Sequence, residues 1–425
     1  MTGTLGVIAD DVTGATDVAA ALRRGGLETL LFFGSELPEV ELPPHDAVVV
    51  ALKTRSVPAD EAVAASLRSA SWLQARGAEQ LYFKYCSTFD STPRGNIGPV
   101  LDALAERLGA LAVVTTPSSP EHGRTVFQGH LFVFDTLLSE SHMRAHPLTP
   151  MTDSSVPRLL DAQTRHEVEL VTREALHRGD LPQRLAATSD ARVRYLVTDA
   201  VDDADLLLTA QAAAHSRLLA GAAGLAGALA TVRAGNVGLT GTAEPESPAA
   251  ERGVVLAGSC SRRTLEQLDA YRAEGNPAHR LEAHPGATSV SLAAEALAWF
   301  DAQDPGTRPV IYSSLPPERL QRVQEEFGAQ AAADLFEGAL GRIAVGLRER
   351  GVDLLVVAGG ETSGAVVDAL DLSGVRIGSE LARGVPRVHA IDGLPMTLLL
   401  KSGNFGEKDF FSRAVGATDS EGVRA

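Results

Sequence analysis

Two adjacent carboxylates, Asp10 and Asp11, end the apolar run of residues 5–9 and stand just before Thr13-Gly14-Ala15, which opens an alanine-rich helical pattern. Neighbouring aspartates repel each other unless a cation, a metal or a proton lies between them. Asp ahead of a helix most often caps it, but one cap needs one carboxylate, so capping accounts for at most one of the pair. Three cations have the same placement at the end of a strand-like run. Arg55 lies in Lys53-Thr54-Arg55-Ser56, Lys84 closes LYFK, and Arg124 lies with His122 in the stretch TTPSSPEHGRT after a strand. Residues 146–154, HPLTPMTDS, are expected to be a fourth such strand end.

In one parallel sheet, loops at the carboxyl ends of the strands face a common crevice, where Asp10, Asp11, Arg55, Lys84 and Arg124 are expected to converge. That mixture suits a small polyhydroxylated acid, because Arg grips a carboxylate through two parallel hydrogen bonds and Asp accepts hydroxyl protons. A lone Lys or Arg is more often a solvated surface charge. Arg55 and Lys84 differ in that each ends a run that would otherwise be buried. The connection 84–99 is dense in polar residues, and Asp90, Ser91, Thr92, Arg94 and Asn96 could all point at a ligand. Equally, Ser91 or Thr92 could cap the following helix while Pro93 fixes a turn.

The second half carries three glycine turns after strand-like runs. VVLAGSCSRRT places Gly258 and Ser259 before a helical pattern; LLVVAGGETSGAV does the same for Gly359, Gly360, Glu361, Thr362 and Ser363; KSGNFG follows the last run and contains Gly403. Glycine allows close approach of backbone to ligand, and a helix start offers N–H groups to phosphate. One such turn is weak, but three in one domain point to a phosphate-bearing ligand. Neither GxxxxGK[ST] nor GxGxxG opening a strand–helix unit occurs, so a P-loop or a Rossmann dinucleotide site is not expected.

These turns need strands and helices to hold them. Strands are expected at 5–9, 29–33, 47–52, 80–85, 112–116 and 195–198, and again at 253–257, 310–313, 354–357 and 397–400; helices at 16–24, 59–76, 97–108 and 204–215. That alternation predicts an α/β fold of two α/β domains with largely parallel sheets. The apolar stretch 218–232 reads as a close-packed core helix, too short and too rich in Ala and Gly to span a bilayer. Residues 117–190, broken by several prolines, read as an insertion or elaborated loop region. The Gly-, Pro-, Glu- and Ser-rich stretch 236–252 is the expected linker, which divides the chain into a domain at 1–235 and another at 253–425. The tail after residue 411 is polar and expected to fray.

At 425 residues, two domains are the prior. The formal charge of -16 and the lack of a basic cluster argue against nucleic acid as a partner, while a few placed cations still permit a small anion. Cys86 and Cys260 are the only cysteines and lack metal or disulfide spacing, and no basic-then-apolar signal opens the chain, so a cytoplasmic location without membrane attachment is expected.

The motifs IADDVTGATD, LKTRS, YFKYCSTFDSTPRGNIGPV, HPLTPMTDS, GSCS, VVAGGETSG and LKSGNFG run nearly end to end, and with them the chain resembles the four-carbon acid sugar kinases. YFKYCSTFDST followed by GNIGPV, residues 150–153 and KSGNFG look most like the branch that phosphorylates 3-oxo-tetronate (3-dehydro-erythronate) at its 4-hydroxyl. The resemblance implies an N-terminal sugar-acid-binding domain, a C-terminal nucleotide-binding domain, the active site in the inter-domain cleft, and ATP with magnesium as cofactor; a homodimer is an allowed assembly. It puts ATP contacts on Ser259, Gly360–Ser363 and Gly403, and the sugar acid on the Asp10-Asp11 turn, Arg55 and Lys84. Asp10 or Asp11 is then expected to orient and deprotonate the hydroxyl, with Asp90, Arg94 and Arg124 as further substrate contacts. D-threonate and D-erythronate kinases are the alternatives within the family. A sugar-acid lyase or isomerase, with a metal on the Asp pair, is the alternative from another class.

Overall fold

The computed structural model describes residues 3–39, 41–145, 149–187, 193–237, 252–391 and 396–416. The chain divides into two compact units, Met1–Thr242 and Ala243–Ala425, whose boundary falls inside the Gly- and Pro-rich stretch 236–252.

Strands of the first unit are β1 (Thr4–Ala9), β2 (Thr29–Phe33), β3 (Ala47–Ala51), β4 (Ala78–Lys84), β5 (Ala112–Thr116), β6 (Arg124–Phe127), β7 (His130–Val133), β8 (Thr136–Leu137), β9 (Glu167–Val171), β10 (Arg194–Thr198) and β11 (Leu218–Gly221). They form a sheet of order β2-β3-β1-β4-β11-β5-β10-β9, parallel throughout, with β6-β7-β8 as a small separate antiparallel sheet. Val, Leu, Ile and Ala at 0–1% exposure fill both faces of β1 and β3. Such unbroken apolar runs are what strands covered on both sides require. Helices do the covering: Val12–Arg24 packs on Ala223–Val237, and Ala59–Ala75 packs on Ile97–Leu108.

The register sets where chemistry can sit. Ala51 pairs with Ala9, Ala9 with Lys84, Lys84 with Gly221, and Gly221 with Thr116, one row across five strands. Residues just past that row all emerge at one edge, which is where Asp10, Asp11, Arg55 and Lys84 belong.

Three expectations need correction. The tail does not fray directly after residue 411, because the helix Phe410–Gly416 runs on with Ala414 and Val415 buried, and 417–425 lie outside the described residues. Residues 218–232 are not one core helix: Leu218–Gly221 is a strand in the middle of the sheet, and the helix Ala223–Val237 begins after it. Residues 146–154 do not follow a strand. A short 3-10 turn, His142–Ala145, precedes them, 146–148 lie outside the described residues, and 149–154 lead into the helix Val156–Asp161.

The second unit contains β12 (Gly253–Ala257), β13 (Ala278–Arg280), β14 (Val310–Tyr312), β15 (Leu354–Ala358), β16 (Gly374–Ala382), β17 (Val385–Ala390) and β18 (Thr397–Lys401). Their order is β13-β14-β12-β15-β18-β17-β16, parallel from β13 to β18 and antiparallel for the last two pairings. Tyr312, Ala257, Ala358 and Lys401 again form one row, so β14, β12, β15 and β18 end flush. Tyr271, Phe410 and Phe411, all nearly unexposed, pack with Val255 and Val356 as part of the core beneath. Among the described residues no helix is long and apolar enough to cross a membrane.

Candidate active site

The turn after β1 is clipped to its neighbours by backbone. Asp10 donates to the carbonyl of Lys84 at 3.1 Å, and its own carbonyl accepts from Thr54 N at 2.9 Å and Arg55 N at 3.1 Å. Arg55 is thereby held over the aspartates. Its Nε donates to Asp10 Oδ2 at 3.0 Å, Nη2 donates to Asp10 Oδ1 at 2.9 Å, and Nη2 also donates to Asp11 Oδ1 at 2.6 Å. The cation that the adjacent carboxylates require is this guanidinium, in a two-pronged contact that lysine could not make. Arg55 Nη1 makes none of these bonds.

The two aspartates differ. Asp11 is the helix cap, its Oδ1 accepting from Gly14 N at 2.9 Å and its Oδ2 from Thr13 Oγ1 at 2.7 Å. Its side chain is 23% exposed against 5% for Asp10. Burial pushes the Asp10 carboxyl above its ordinary value despite Arg55. Burial acts on Asp11 as well, yet Arg55, Lys84, Thr13 and Gly14 together hold it below the usual carboxylate range. Asp11 is thus the more acidic and more accessible member of the pair.

Lys84, 3% exposed, donates to the carbonyl of Tyr85 at 2.9 Å, which leaves donors on Nζ to spare. It lies against the helix start, where a Cβ added at Gly14 would meet its Nζ at 2.9 Å. Arg124 is half-buried at the start of β6. Its Nη1 donates to the carbonyl of His122, its guanidinium lies over Phe134 at 5.4 Å, and its Nε is buried without a partner. Burial lowers its pKa, against the attraction of Cys86 and Asp90. Arg55 and Lys84 also act on Cys86, so one cluster connects all four cation and carboxylate turns.

The polar connection after β4 serves two purposes. Asn96 donates to the carbonyls of Thr54 at 2.7 Å and Val57 at 3.0 Å, which fixes the loop that carries Arg55. Ser91 Oγ accepts from Gln163 at 2.9 Å, and neither Ser91 nor Thr92 caps the helix, which starts at Asn96 without a side-chain cap. Asp90 accepts from Thr88 at 2.6 Å, and Phe89 before it adopts φ 49°. Such left-handed backbone is uncommon for an aromatic residue and turns the chain sharply there. Arg94 is exposed and outside this cluster.

Sequence reasoning noted His122 beside Arg124 in the stretch 115–125 but passed over Asp17. With Glu121, His122 and Asp17 bring ligand-type atoms within 4.8 Å of one another. His122 Nε2 is already 3.2 Å from Asp17 Oδ1, however, and Glu121 pairs with Arg24 at 3.0 Å, so the group reads as an ion cluster fixing the 118–124 loop.

In the second unit the three glycine turns meet. Gly258 N and Ser259 N both donate to the Ala358 carbonyl, at 3.0 and 3.1 Å, and Gly359 N donates to the Lys401 carbonyl at 2.9 Å. A Cβ at Gly258 would stand 2.1 Å from Thr362 Oγ1, and one at Gly403 would stand 2.3 Å from Ser259 Oγ. The helix Gly360–Ala369 has no side-chain cap, and Ser363 Oγ is buried without a partner. Its first N–H groups, at Gly360, Glu361 and Thr362, are the open donors expected where phosphate binds.

A family model described as a sugar-binding N-terminal domain matches residues 5–229, and one described as a nucleotide-binding C-terminal domain matches residues 254–411. The 3-oxo-tetronate kinase of Cupriavidus necator is 46% identical over 419 residues, covering 97% of this chain and 96% of that protein. The 3-oxo-tetronate kinase of Pseudomonas fluorescens is 47% identical over 420 residues, with 97% and 96% covered. A solved Haemophilus influenzae protein superposes with a TM-score of 0.81 at 40% identity, covering 97% of this chain and 99% of its own. With identity of this level over almost the whole length and both domain models matched, the chain belongs to the four-carbon acid sugar kinase family and is an ATP-dependent carbohydrate kinase.

Proposed function

We propose that the enzyme phosphorylates the 4-hydroxyl of 3-oxo-tetronate (3-dehydro-erythronate) in the catabolism of four-carbon sugar acids, in the cytoplasm. Two relatives bearing that activity in their names support the substrate. The observation that carries the reading is the first-unit cluster, in which an ionised Asp11 stands beside cations with unused donors. The carboxylate of the acid is assigned to Lys84 Nζ, Arg124 and the remaining nitrogen of Arg55, with Asp90 and Arg94 as outlying contacts. Asp11 orients the reacting hydroxyl and receives its proton, while Asp10 holds the guanidinium in place.

ATP is assigned to the three turns of the second unit, with phosphates over Gly258, Ser259, Gly359–Ser363 and Gly403. Glu361, exposed in the first helical turn, is a carboxylate in those turns available to magnesium. A single carboxylate fits a hard cation held mainly by phosphate oxygens and water, where it neutralises charge on the phosphates. Transfer of the γ-phosphoryl group passes through a loose transition state, so alignment of hydroxyl and phosphate matters more than the strength of the base.

A coupled ADP-release assay over 3-oxo-tetronate, D-threonate and D-erythronate tests the assignment. Highest kcat/KM on 3-oxo-tetronate is expected, and preference for either hydroxy acid would move the enzyme to another branch of the family. Arg124→Ala should raise KM for the sugar acid at least tenfold and leave KM for ATP unchanged. A larger effect on ATP would transfer Arg124 to the nucleotide. The lyase or isomerase alternative predicts turnover without ADP, and the kinase family membership stands against it.

A further inference from the structure

Lys401 closes β18 with a side chain that is 0% exposed. A buried ammonium needs acceptors around it. Among the described residues they are backbone and hydroxyl oxygens: Nζ donates to the carbonyls of Ser402 and Gly403, each at 3.0 Å, with Thr264 Oγ1 at 3.4 Å. The Gly403 carbonyl also accepts from Ser261 Oγ at 2.7 Å and Thr264 Oγ1 at 2.9 Å. Three side chains therefore meet on one oxygen and lock the turn after β18 to the start of the helix Arg262–Ala273.

The peptide bond makes this lock directional. In a trans peptide the carbonyl and the following N–H point opposite ways. With the Ser402 and Gly403 carbonyls drawn inward to Lys401, the N–H groups of Gly403 and Asn404 point outward, and neither donates to another described residue. Two adjacent open N–H groups beside Ser259 form a concave anion site of the kind that holds phosphate.

We propose that Lys401 is a positioning residue for the nucleotide: it pulls the Ser402 and Gly403 carbonyls inward so that the Gly403 and Asn404 N–H groups face the phosphates, and it supplies the buried positive charge beneath them. The inference rests on the assignment of ATP to the three glycine turns. It carries a consequence for pH. Burial, assisted by Arg263, pushes the Lys401 ammonium down to about 7. Arg263 comes from the helix Arg262–Ala273 and is itself engaged with Glu266 at 3.3 Å and Glu407 at 4.0 Å, while the rings of Phe410 and Phe411, each 6.0 Å away, close the other side. Before nucleotide binds, the amine is partly neutral near neutrality, and an arriving polyphosphate favours the ammonium. Nucleotide binding takes up a proton.

The test is calorimetric titration of the full-length enzyme with magnesium-ADP in buffers of different ionisation enthalpy. Wild type should take up a proton on binding at pH 8, and its affinity should fall about fivefold from pH 7.5 to 8.5 through this linkage. Lys401→Met should bind ADP about tenfold more weakly at pH 7, lose both the proton uptake and the pH dependence, and bind 3-oxo-tetronate normally. Binding of ADP by Lys401→Met at wild-type affinity at pH 7 overturns the proposal. Gly403→Ala separates the two layers, because its Cβ would press on Ser259 Oγ. If Gly403→Ala binds ADP like wild type, the glycine turns are not the nucleotide site and the inference goes with them. If Gly403→Ala loses ADP while Lys401→Met keeps the wild-type pH profile, the site stands and the role of Lys401 alone is refuted.

Discussion

Arg55 binds both aspartates through one planar group, so the least disruptive substitution by charge is disruptive by shape. Lysine would place a single ammonium where Nε and Nη2 now make three bonds. Arg55→Lys should therefore lower kcat/KM for the sugar acid by on the order of 10²-fold, with ADP affinity unchanged, because the aspartates lose their alignment. A variant with wild-type turnover would show that the pair needs only charge. Asp11→Asn should lower kcat by on the order of 10²–10⁴-fold with ATP binding retained. If Asp11→Asn turns over normally and Asp10→Asn does not, the two carboxylates exchange the roles assigned to them. Lys401 has a separate signature in stability. It releases its proton at about 7 in the fold, against about 10.4 in the unfolded chain. The unfolded chain then binds more protons between those values, so this lysine makes stability rise with pH across that window and contributes no slope below it. Urea midpoints at pH 7 and 9.5 should rise less in Lys401→Met than in wild type, and equal rises would remove the lysine from the account.

The elements that carry the site were legible where a short apolar run meets a polar turn, as at 29–33, 112–116 and 253–257, each found as a strand with those bounds. Leu218–Gly221 was not legible. Its run continues as AAGLAGALATV without a polar break, and an apolar stretch covered on both sides has no periodicity to separate strand from helix. The break is Gly221 itself, at φ 150°, where a Cβ would lie 2.2 Å from the Thr116 carbonyl. Backbone of a neighbouring central strand cannot move aside as a side chain can. Gly221→Ala should cost about 1–3 kcal/mol in chemical denaturation. No measurable loss would mean that β11 and β5 separate there at little expense. The antiparallel pair Gly374–Ala382 and Val385–Ala390 escaped notice for another reason: Arg376, Glu380, Arg387 and His389 interrupt its apolar positions, as half-covered strands allow. The same logic explains the site. Residues that end buried runs, Lys401 among them, could be read from order alone, whereas the bonds that Asn96 and Lys401 make to carbonyls far away or around a turn leave no local pattern.

Across the whole molecule, the residues assigned to the acid lie within 10–124 and those assigned to ATP within 258–403, so each ligand is served by one compact unit. Substitutions without shared partners normally act independently. Arg124→Ala and Gly403→Ala should thus separate cleanly in ligand-induced stabilisation of the full-length chain. A ligand at 100 times its Kd adds about 2.7 kcal/mol to the stability of the state that binds it. Arg124→Ala should lose most of the stabilisation by 3-oxo-tetronate and keep that by magnesium-ADP; Gly403→Ala should show the reverse; the double variant should lose both by the sum of the single effects. Additivity would mean that each pocket forms without the other ligand. If either substitution removed both responses, the acid and the nucleotide would share determinants, and the division of labour between the two units would have to be redrawn.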